Sequence, residues 1–278
     1  MRWMARRAKS VSPRARTLTI LTVLATAVAY CAALLIPANV GAAAVAPAAR
    51  PTPSQSPTLS DTGQAFGGVP DVGALFTASA GKLGTHFCTA SVVHSASGDL
   101  AVTAAHCMSG VQGQQVVFVP GYANGKEPYG VWPVAAVYTD QDWQSSQNPD
   151  DDVAFLRLSD TKGVPVENVT GAERLGTGWP SPALVRVIGY PGDADQPISC
   201  VNWAKSFSAT QLEFDCDGYT DGTSGGPFLA GASGASGQGT VIGVIGGYEQ
   251  GGDTSEVSYA AAFGAAVKAL YQRAEAGG

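Results

Sequence analysis

The stretch Asp221-Gly222-Thr223-Ser224-Gly225-Gly226-Pro227 places a serine with glycines before and after it. Glycines let a backbone turn tightly and let another molecule approach closely, and this setting suits a serine that acts as a nucleophile. The backbone amides of Gly222 and Ser224 are then able to point together and stabilise a developing oxyanion. The stretch therefore predicts Ser224 as the nucleophile and the amides of Gly222 and Ser224 as the oxyanion hole.

A serine hydroxyl is a poor nucleophile unless a base removes its proton, and His106 in Thr103-Ala104-Ala105-His106-Cys107 is the candidate base. Asp152 opens an apolar stretch, where a carboxylate is costly to bury unless a group such as a histidine N–H pairs with it. These residues together supply a nucleophile, a base and an orienting carboxylate. Asp150 and Asp151 compete with Asp152 for the third role.

The order of these residues along the chain separates the possible folds. The pattern Gly222-x-Ser224-x-Gly226 also fits the nucleophile elbow of α/β-hydrolases, but that fold needs a histidine after the serine. All three histidines, His86, His94 and His106, precede Ser224. The sequence therefore argues against an α/β-hydrolase esterase.

The composition predicts a turn-rich, all-β protein. Glycine accounts for 35 of 278 residues and charged residues for only 14%, against about 7% and about 25% in average proteins. Short apolar segments alternate with Gly, Pro, Asn and Asp, as in barrels or sandwiches. The predicted strands are Val72–Thr77, Cys88–His94, Leu100–Ala104, Gln115–Val119, Val131–Tyr138, Val153–Leu158, Ala183–Ile188, Leu212–Asp215, Pro227–Leu229 and Val241–Ile245. Apolar residues at helical spacing from Tyr259 onward predict one C-terminal helix.

The N-terminal region has the organisation of an export signal. Six basic residues and no acidic ones lie in residues 1–44, so the remainder has a net charge of −12, which disfavours nucleic-acid binding. A basic start, an apolar run and then small residues predict a signal peptide over residues 1–44. The apolar run is long enough for an uncleaved membrane anchor, which stays the alternative. Residues 45–66 are rich in Pro, Ala and Ser and predict a linker or short pro-segment, so we expect the folded domain at residues 67–278.

Four cysteines remain after the signal: Cys88, Cys107, Cys200 and Cys216. An even number in an exported chain favours two disulfides, for which three pairings exist. The sequential pairing closes the shortest loops and is favoured. A zinc site is disfavoured because the chain has no Cys-x-x-Cys motif, and we predict no metal and no cofactor.

The segments around His106, Asp152 and Ser224 resemble, in sequence and in order, the signature segments of chymotrypsin-like (trypsin-like) serine proteases of the secreted bacterial branch. The stretch before Ser224 is similar to that of glutamyl endopeptidases. The resemblance implies two antiparallel six-stranded β-barrels with a C-terminal helix and the triad in the cleft between them. It also supports the Cys88–Cys107 pairing. The implied activity is that of a secreted, extracellular serine endopeptidase, a monomer acting on protein or peptide substrates without a membrane partner once the signal is removed.

The chain departs from the trypsin pattern at the specificity pocket and beside the nucleophile. Thr223 stands where trypsins carry the aspartate that pairs with a new N-terminus on activation, so that activation route is not expected. Alignment on the serine predicts a substrate pocket formed by Gly218, Tyr219, Gly246, Gly247 and Tyr248. Ile245 stands about where glutamyl members use a histidine, so glutamate specificity lacks its usual support. A catalytically inactive binding protein on a protease scaffold is the alternative.

Overall fold

A computed structural model describes residues 58–232 and 237–277. The predicted signal peptide and most of the predicted linker lie outside this described part. The strands are β1 (Gln64–Ala65), β2 (Val72–Ser79), β3 (Lys82–Val92), β4 (Leu100–Thr103), β5 (Gln115–Pro120), β6 (Trp132–Thr139), β7 (Ala154–Leu158), β8 (Arg174–Leu175), β9 (Ala183–Gly189), β10 (Ile198–Ser206), β11 (Gln211–Asp215), β12 (Pro227–Ala230), β13 (Thr240–Val244) and β14 (Val257–Ala261). The α-helices are α1 (Ala105–Ser109), α2 (Gln141–Ser146), α3 (Glu167–Thr170) and α4 (Ala265–Ala276). A 3-10 helix spans Pro149–Asp151, and Tyr248–Gly251 forms a turn with left-handed residues inside it.

The first barrel closes in the order β2-β3-β4-β7-β6-β5, with antiparallel pairing throughout. Its interior is filled by branched and aromatic side chains such as Leu75, Phe118 and Phe155, which are fully buried. Burial of this apolar surface is the main driving force for the barrel. The barrel carries His106 and Asp152 at one end, because α1 follows β4 and β7 follows Asp152.

The second sheet curls in the order β14-β11-β10-β9-β12-β13-β8, and β1 pairs with β10. An isolated bridge between Ile245 and Ala260 brings the chain after β13 beside β14. The short strands β1 and β8 extend this sheet beyond the six strands expected, and β8 pairs with β13 in parallel. The prediction of an all-β, chymotrypsin-like fold with two antiparallel six-stranded barrels and a C-terminal helix is confirmed, with the first barrel closed and the second a curled half-barrel.

All ten predicted strands overlap a strand of the structure, but β1, β8, β10 and β14 were not predicted. The C-terminal helix exists, but its predicted start at Tyr259 is wrong, because Tyr259 lies in β14 and α4 begins at Ala265. Tyr259 and Phe263 are four residues apart, and this spacing imitates a helix although they lie on either side of the strand's end. Pairing with β11 makes residues 257–261 extended, and Gly264 then precedes the helix.

The disulfides join Cys88 to Cys107 and Cys200 to Cys216. The sequential pairing is therefore confirmed. The first bridge ties β3 to α1, so it fixes the helix that carries His106 against the first barrel. The second ties β10 to the residue that follows β11 in the second sheet.

Residues before the predicted domain start at residue 67 also take part in the second sheet, because Gln64 and Ala65 pair with Ser199 and Ile198 of β10. Across residues 58–232 and 237–277, no helix has the length and hydrophobicity needed to cross a membrane.

Candidate active site

His106 is positioned by the sharp change from strand to helix after β4. Ala104 is extended, and α1 starts at the next residue, so the imidazole projects from the first turn of a helix that a disulfide fixes at Cys107. The ring is largely buried, with 14% of its side-chain surface exposed. A largely buried imidazole on a short helix that a disulfide fixes has few orientations available to it.

Asp152 is buried and satisfied by donors from two parts of the fold. Its Oδ2 lies 2.7 Å from Nδ1 of His106 and accepts a hydrogen bond from the Gly247 amide at 2.9 Å, while Oδ1 accepts one from the His106 amide at 2.8 Å. Three hydrogen bonds offset the cost of burying the carboxylate. The contact with Nδ1 favours the tautomer with its proton on Nδ1, which leaves Nε2 as the proton acceptor.

The neighbouring acids have other partners. The side chain of Gln211 donates to Oδ1 of Asp150 at 2.7 Å, and the side chain of Asn148 donates to Oδ2 of Asp151 at 2.7 Å. Of the three consecutive aspartates, Asp152 is therefore the one that contacts His106. The 3-10 helix Pro149–Asp151 separates their directions, so that Asp152 turns inward while Asp150 and Asp151 stay half-exposed.

Ser224 lies in a tight loop between β11 and β12 and is half-buried. Gly222 has a φ of +92° and Gly225 a φ of +81°. A Cβ on Gly225 would lie 2.1 Å from Oγ1 of Thr103 and 2.2 Å from the Thr89 carbonyl oxygen, so a side chain at either glycine would be strained. Within the described part of the chain, the amides of Gly222 and Ser224 donate to no protein acceptor. Both are available to an oxyanion.

A cleft of about 1340 Å³ contains this constellation, since His106, Gly222 and Ser224 all line it. In the described part, Ser224 forms no hydrogen bond with His106, although both face the same space. Catalytic hydrogen bonds are often long before substrate binds, so this geometry is compatible with a nucleophile and its base.

The residues predicted to form the substrate pocket lie in different places relative to the cleft. Tyr219 lines the cleft, but Gly218, Gly246, Gly247 and Tyr248 are not among its lining residues. A Cβ on Gly246 would lie 2.8 Å from Oδ2 of Asp152, and the Gly247 amide donates to that same oxygen. These two glycines therefore support the aspartate from behind. Tyr248 packs its ring against Phe207 and Tyr259 on the outer side.

Most of the remaining residues that line the cleft were not predicted from the sequence. They include the segment Glu249–Ser255, together with Gly192 and Asp193 from the chain after β9. Glu249 and Gln250 both have a left-handed backbone, with φ of +50° and +53°. No local motif marks these residues, because they meet the nucleophile only through long-range packing.

The cleft is acidic. The carboxylates on its wall are Asp193, Asp221, Glu249 and Asp253. All four residues are exposed, and the wall contains no lysine or arginine among the described residues. Its electrostatic potential therefore favours cationic groups over anionic ones.

Two clusters in the described part bring together side chains of the types that bind metals. The first is Cys88, His106 and Cys107, whose cysteines are joined in a disulfide. The second is Asp140, Asp142 and Asp151, in which Asp140 caps the first turn of α2. Burial, with the nearby charge of Asp140, raises the pKa of Asp151.

The sequence pattern of the trypsin-like peptidase domain matches residues 84–244. The chain belongs to this family. Membership agrees with the fold and identifies the trypsin-like domain as a serine-type peptidase. A comparison with curated proteins found no match.

Solved structures of bacterial proteases resemble this trypsin-like domain. Protease Anisep from Arthrobacter nicotinovorans is 26% identical, with a TM-score of 0.66 over 77% of this chain and 100% of that one. A thermostable serine protease from an extremophilic microorganism is 25% identical, with a TM-score of 0.64 over 76% of this chain and 99% of that one. A Glu endopeptidase is 14% identical, with a TM-score of 0.59 over 75% of this chain and 91% of that one, and shares the fold.

Proposed function

We propose that this trypsin-like domain is a secreted serine endopeptidase that cleaves internal peptide bonds of proteins or peptides through an acyl-enzyme. Ser224 is the nucleophile, His106 the general base and acid, and Asp152 the orienting carboxylate. The observation that carries the proposal is the buried 2.7 Å contact between Nδ1 of His106 and Oδ2 of Asp152, on a cleft that Ser224 also lines.

In acylation, the Ser224 hydroxyl gives its proton to Nε2 of His106 while Oγ attacks the carbonyl carbon of the peptide bond. The carbonyl oxygen becomes an oxyanion and accepts hydrogen bonds from the amides of Gly222 and Ser224. Losing one donor of this kind typically costs about 10²–10³-fold in rate. Asp152 stabilises the imidazolium and keeps it in the required orientation.

Collapse of the tetrahedral intermediate breaks the carbon–nitrogen bond. His106 delivers its proton to the departing amine, and the acyl group remains on Oγ of Ser224. Water then enters, His106 takes a proton from it, and the hydroxide attacks the ester. The second intermediate collapses as His106 returns the proton to Oγ, so that the carboxylic acid leaves and the triad is regenerated. The reaction needs no cofactor.

Two features support export: the order of residue types at the N-terminus and the presence of disulfides. The basic, apolar and small-residue order of residues 1–44 is that of a signal peptide. Two disulfides support an oxidising compartment outside the cytoplasm. The mature enzyme is proposed to act as a monomer in the extracellular space, with no metal and no nucleic-acid partner.

The test is hydrolysis by the full chain as it is exported, set beside its Ser224→Ala variant. Both are purified from the medium, and their products from a peptide mixture are identified by mass spectrometry. Cleavage inside the peptides by the wild type alone supports a serine endopeptidase. Cleavage only at peptide ends would contradict the endopeptidase assignment, and no cleavage by folded wild-type protein would favour the inactive scaffold. Mass analysis of the N-terminus tests signal removal against a retained anchor.

A further inference from the structure

The nucleophile loop is fixed by hydrogen bonds to four consecutive carbonyl oxygens. Those of Asp221 and Thr223 accept from the amides of Gly192 and Gly226 at 2.6 and 2.9 Å. The other two, of Gly222 and Ser224, accept from a single residue of the first barrel, Thr89. In a trans peptide the C=O of one residue points opposite to the N–H of the next, so the bonds to Asp221 and Thr223 set the directions of the Gly222 and Ser224 amides. The two bonds from Thr89 hold the peptides that alternate with these, Gly222–Thr223 and Ser224–Gly225.

Thr89 is fully buried in β3, where it is the residue after Cys88. Its Oγ1 donates to the Gly222 carbonyl at 3.0 Å and accepts from the Tyr190 amide at 2.9 Å. Its backbone amide donates to the Ser224 carbonyl at 2.7 Å. The hydroxyl thus makes one hydrogen bond to the nucleophile loop and one to the chain after β9, whose Gly192 amide holds the Asp221 carbonyl.

Thr89 also connects the base to the nucleophile along a short path. Cys88 is bonded to Cys107, which is the residue after His106. The path from His106 through the disulfide to Thr89 and then to the Ser224 carbonyl crosses from one barrel to the other without passing through a flexible side chain. A shift of Thr89 therefore changes the position of Ser224 relative to His106.

We propose that Thr89 is a positioning residue that orients the nucleophile loop and so sets the oxyanion hole and the distance between nucleophile and base. It touches neither substrate nor reacting atoms and acts through Gly222 and Ser224. The proposal rests on the proposed function, since it assigns Thr89 a part in that same site. Its hydroxyl, unlike its backbone amide, is open to substitution.

The test uses Thr89→Val, which keeps the shape and removes the hydroxyl, and Thr89→Ser, which keeps the hydroxyl. Thr170→Val is the matched control, because Thr170 is also a buried threonine whose hydroxyl bonds to backbone carbonyls, but in α3. We expect Thr89→Val to lower kcat by roughly 10- to 100-fold with KM changed less than about threefold, because a misplacement of about 1 Å is enough to cost that much. Thr89→Ser is expected to restore kcat to within about threefold of the wild type, and Thr170→Val to leave kcat unchanged.

Hydrogen exchange separates failure of this proposal from failure of the proposed function. Amide exchange of residues 222–226 is measured by mass spectrometry in the Ser224→Ala background, where no activity is needed. We expect Thr89→Val to raise exchange in this loop more than Thr170→Val does. Unchanged loop exchange and unchanged kcat in Thr89→Val would overturn the positioning role. A wild type without hydrolysis would overturn the proposed function, and loop exchange would still decide the role of Thr89.

Discussion

Asp71 and Glu173 are buried carboxyl groups that interact electrostatically, with 1% and 0% of their surfaces exposed. The backbones of both residues form hydrogen bonds with Val92. The Val92 amide donates to the Asp71 carbonyl, and the Val92 carbonyl accepts from the Glu173 amide. Burial, and then the charge of Asp71, raise the pKa of Glu173 from 4.5 to about 8. Burial likewise raises the pKa of Asp71.

The sign of the effect on stability follows from the raised pKa of the folded state. Between pH 4.5 and about 8 the folded protein keeps a proton on Glu173 that the unfolded chain has released. This contribution to stability is fully present below pH 4.5 and is lost as the pH rises to about 8. Each pH unit in that window changes the free energy of unfolding by about 1.4 kcal/mol, so raising the pH from 5 to 8 is expected to cost about 4 kcal/mol.

The perturbation is Glu173→Gln, which replaces the titrating group with a neutral one of the same shape. The assay is thermal unfolding by circular dichroism at pH 5 and at pH 8, in the Ser224→Ala background to prevent self-digestion. The Tm of the variant relative to its parent is expected to rise by roughly 8–16 °C between these pH values, since 1 kcal/mol corresponds to about 2–4 °C in a domain of this size. Glu256→Gln, at an exposed carboxyl, is the control. Parallel pH profiles of Tm for Glu173→Gln and its parent would show that Glu173 does not lower stability between pH 5 and 8.

Three further predictions concern the site and its bridges. Asp152→Asn should lower kcat by roughly 10⁴-fold, because the carboxamide favours the wrong imidazole tautomer; steady-state kinetics with nearly wild-type kcat would contradict the role. Peptides with lysine or arginine near the scissile bond should show higher kcat/KM than matched glutamate peptides. Both Glu249→Gln and high salt should lower the ratio of these two kcat/KM values. A ratio that does not change with salt would contradict an effect of the acidic cleft. Reduction of a disulfide should lower the free energy of unfolding by about 2–5 kcal/mol; an unchanged urea midpoint in dithiothreitol would contradict this.

The fold and the candidate triad could be predicted from the sequence because each depends on short sequence motifs in a fixed order. The segments around His106, Asp152 and Ser224 are short and contiguous, and alternating apolar stretches reveal most strands. The start of the C-terminal helix was mispredicted at Tyr259, because apolar residues four positions apart occur both in a helix and at the end of a strand. Pairing with β11 decides between them, and that pairing is not a local property.

The lining of the cleft could not be predicted as fully because its wall is assembled from distant segments. Alignment on the serine predicts Gly246 and Gly247 in the substrate pocket, and it gives no sign of their close approach to Asp152. Thr89 is as uninformative in sequence as any threonine in a strand. Its contacts with Gly222 and Ser224 join residues more than 130 positions apart, and they arise only when the two barrels meet.

Labelling with a fluorophosphonate tests whether Ser224 is a nucleophile activated by His106, because the reagent reacts with activated serines. Wild type, Ser224→Ala and His106→Ala proteins, each shown to be folded, are exposed to the reagent and mapped by peptide mass spectrometry. We expect label on Ser224 in the wild type, none at that peptide in Ser224→Ala, and much slower labelling in His106→Ala. A folded wild type that takes up no label, or a His106→Ala variant that labels at the wild-type rate, would contradict activation of Ser224 by His106.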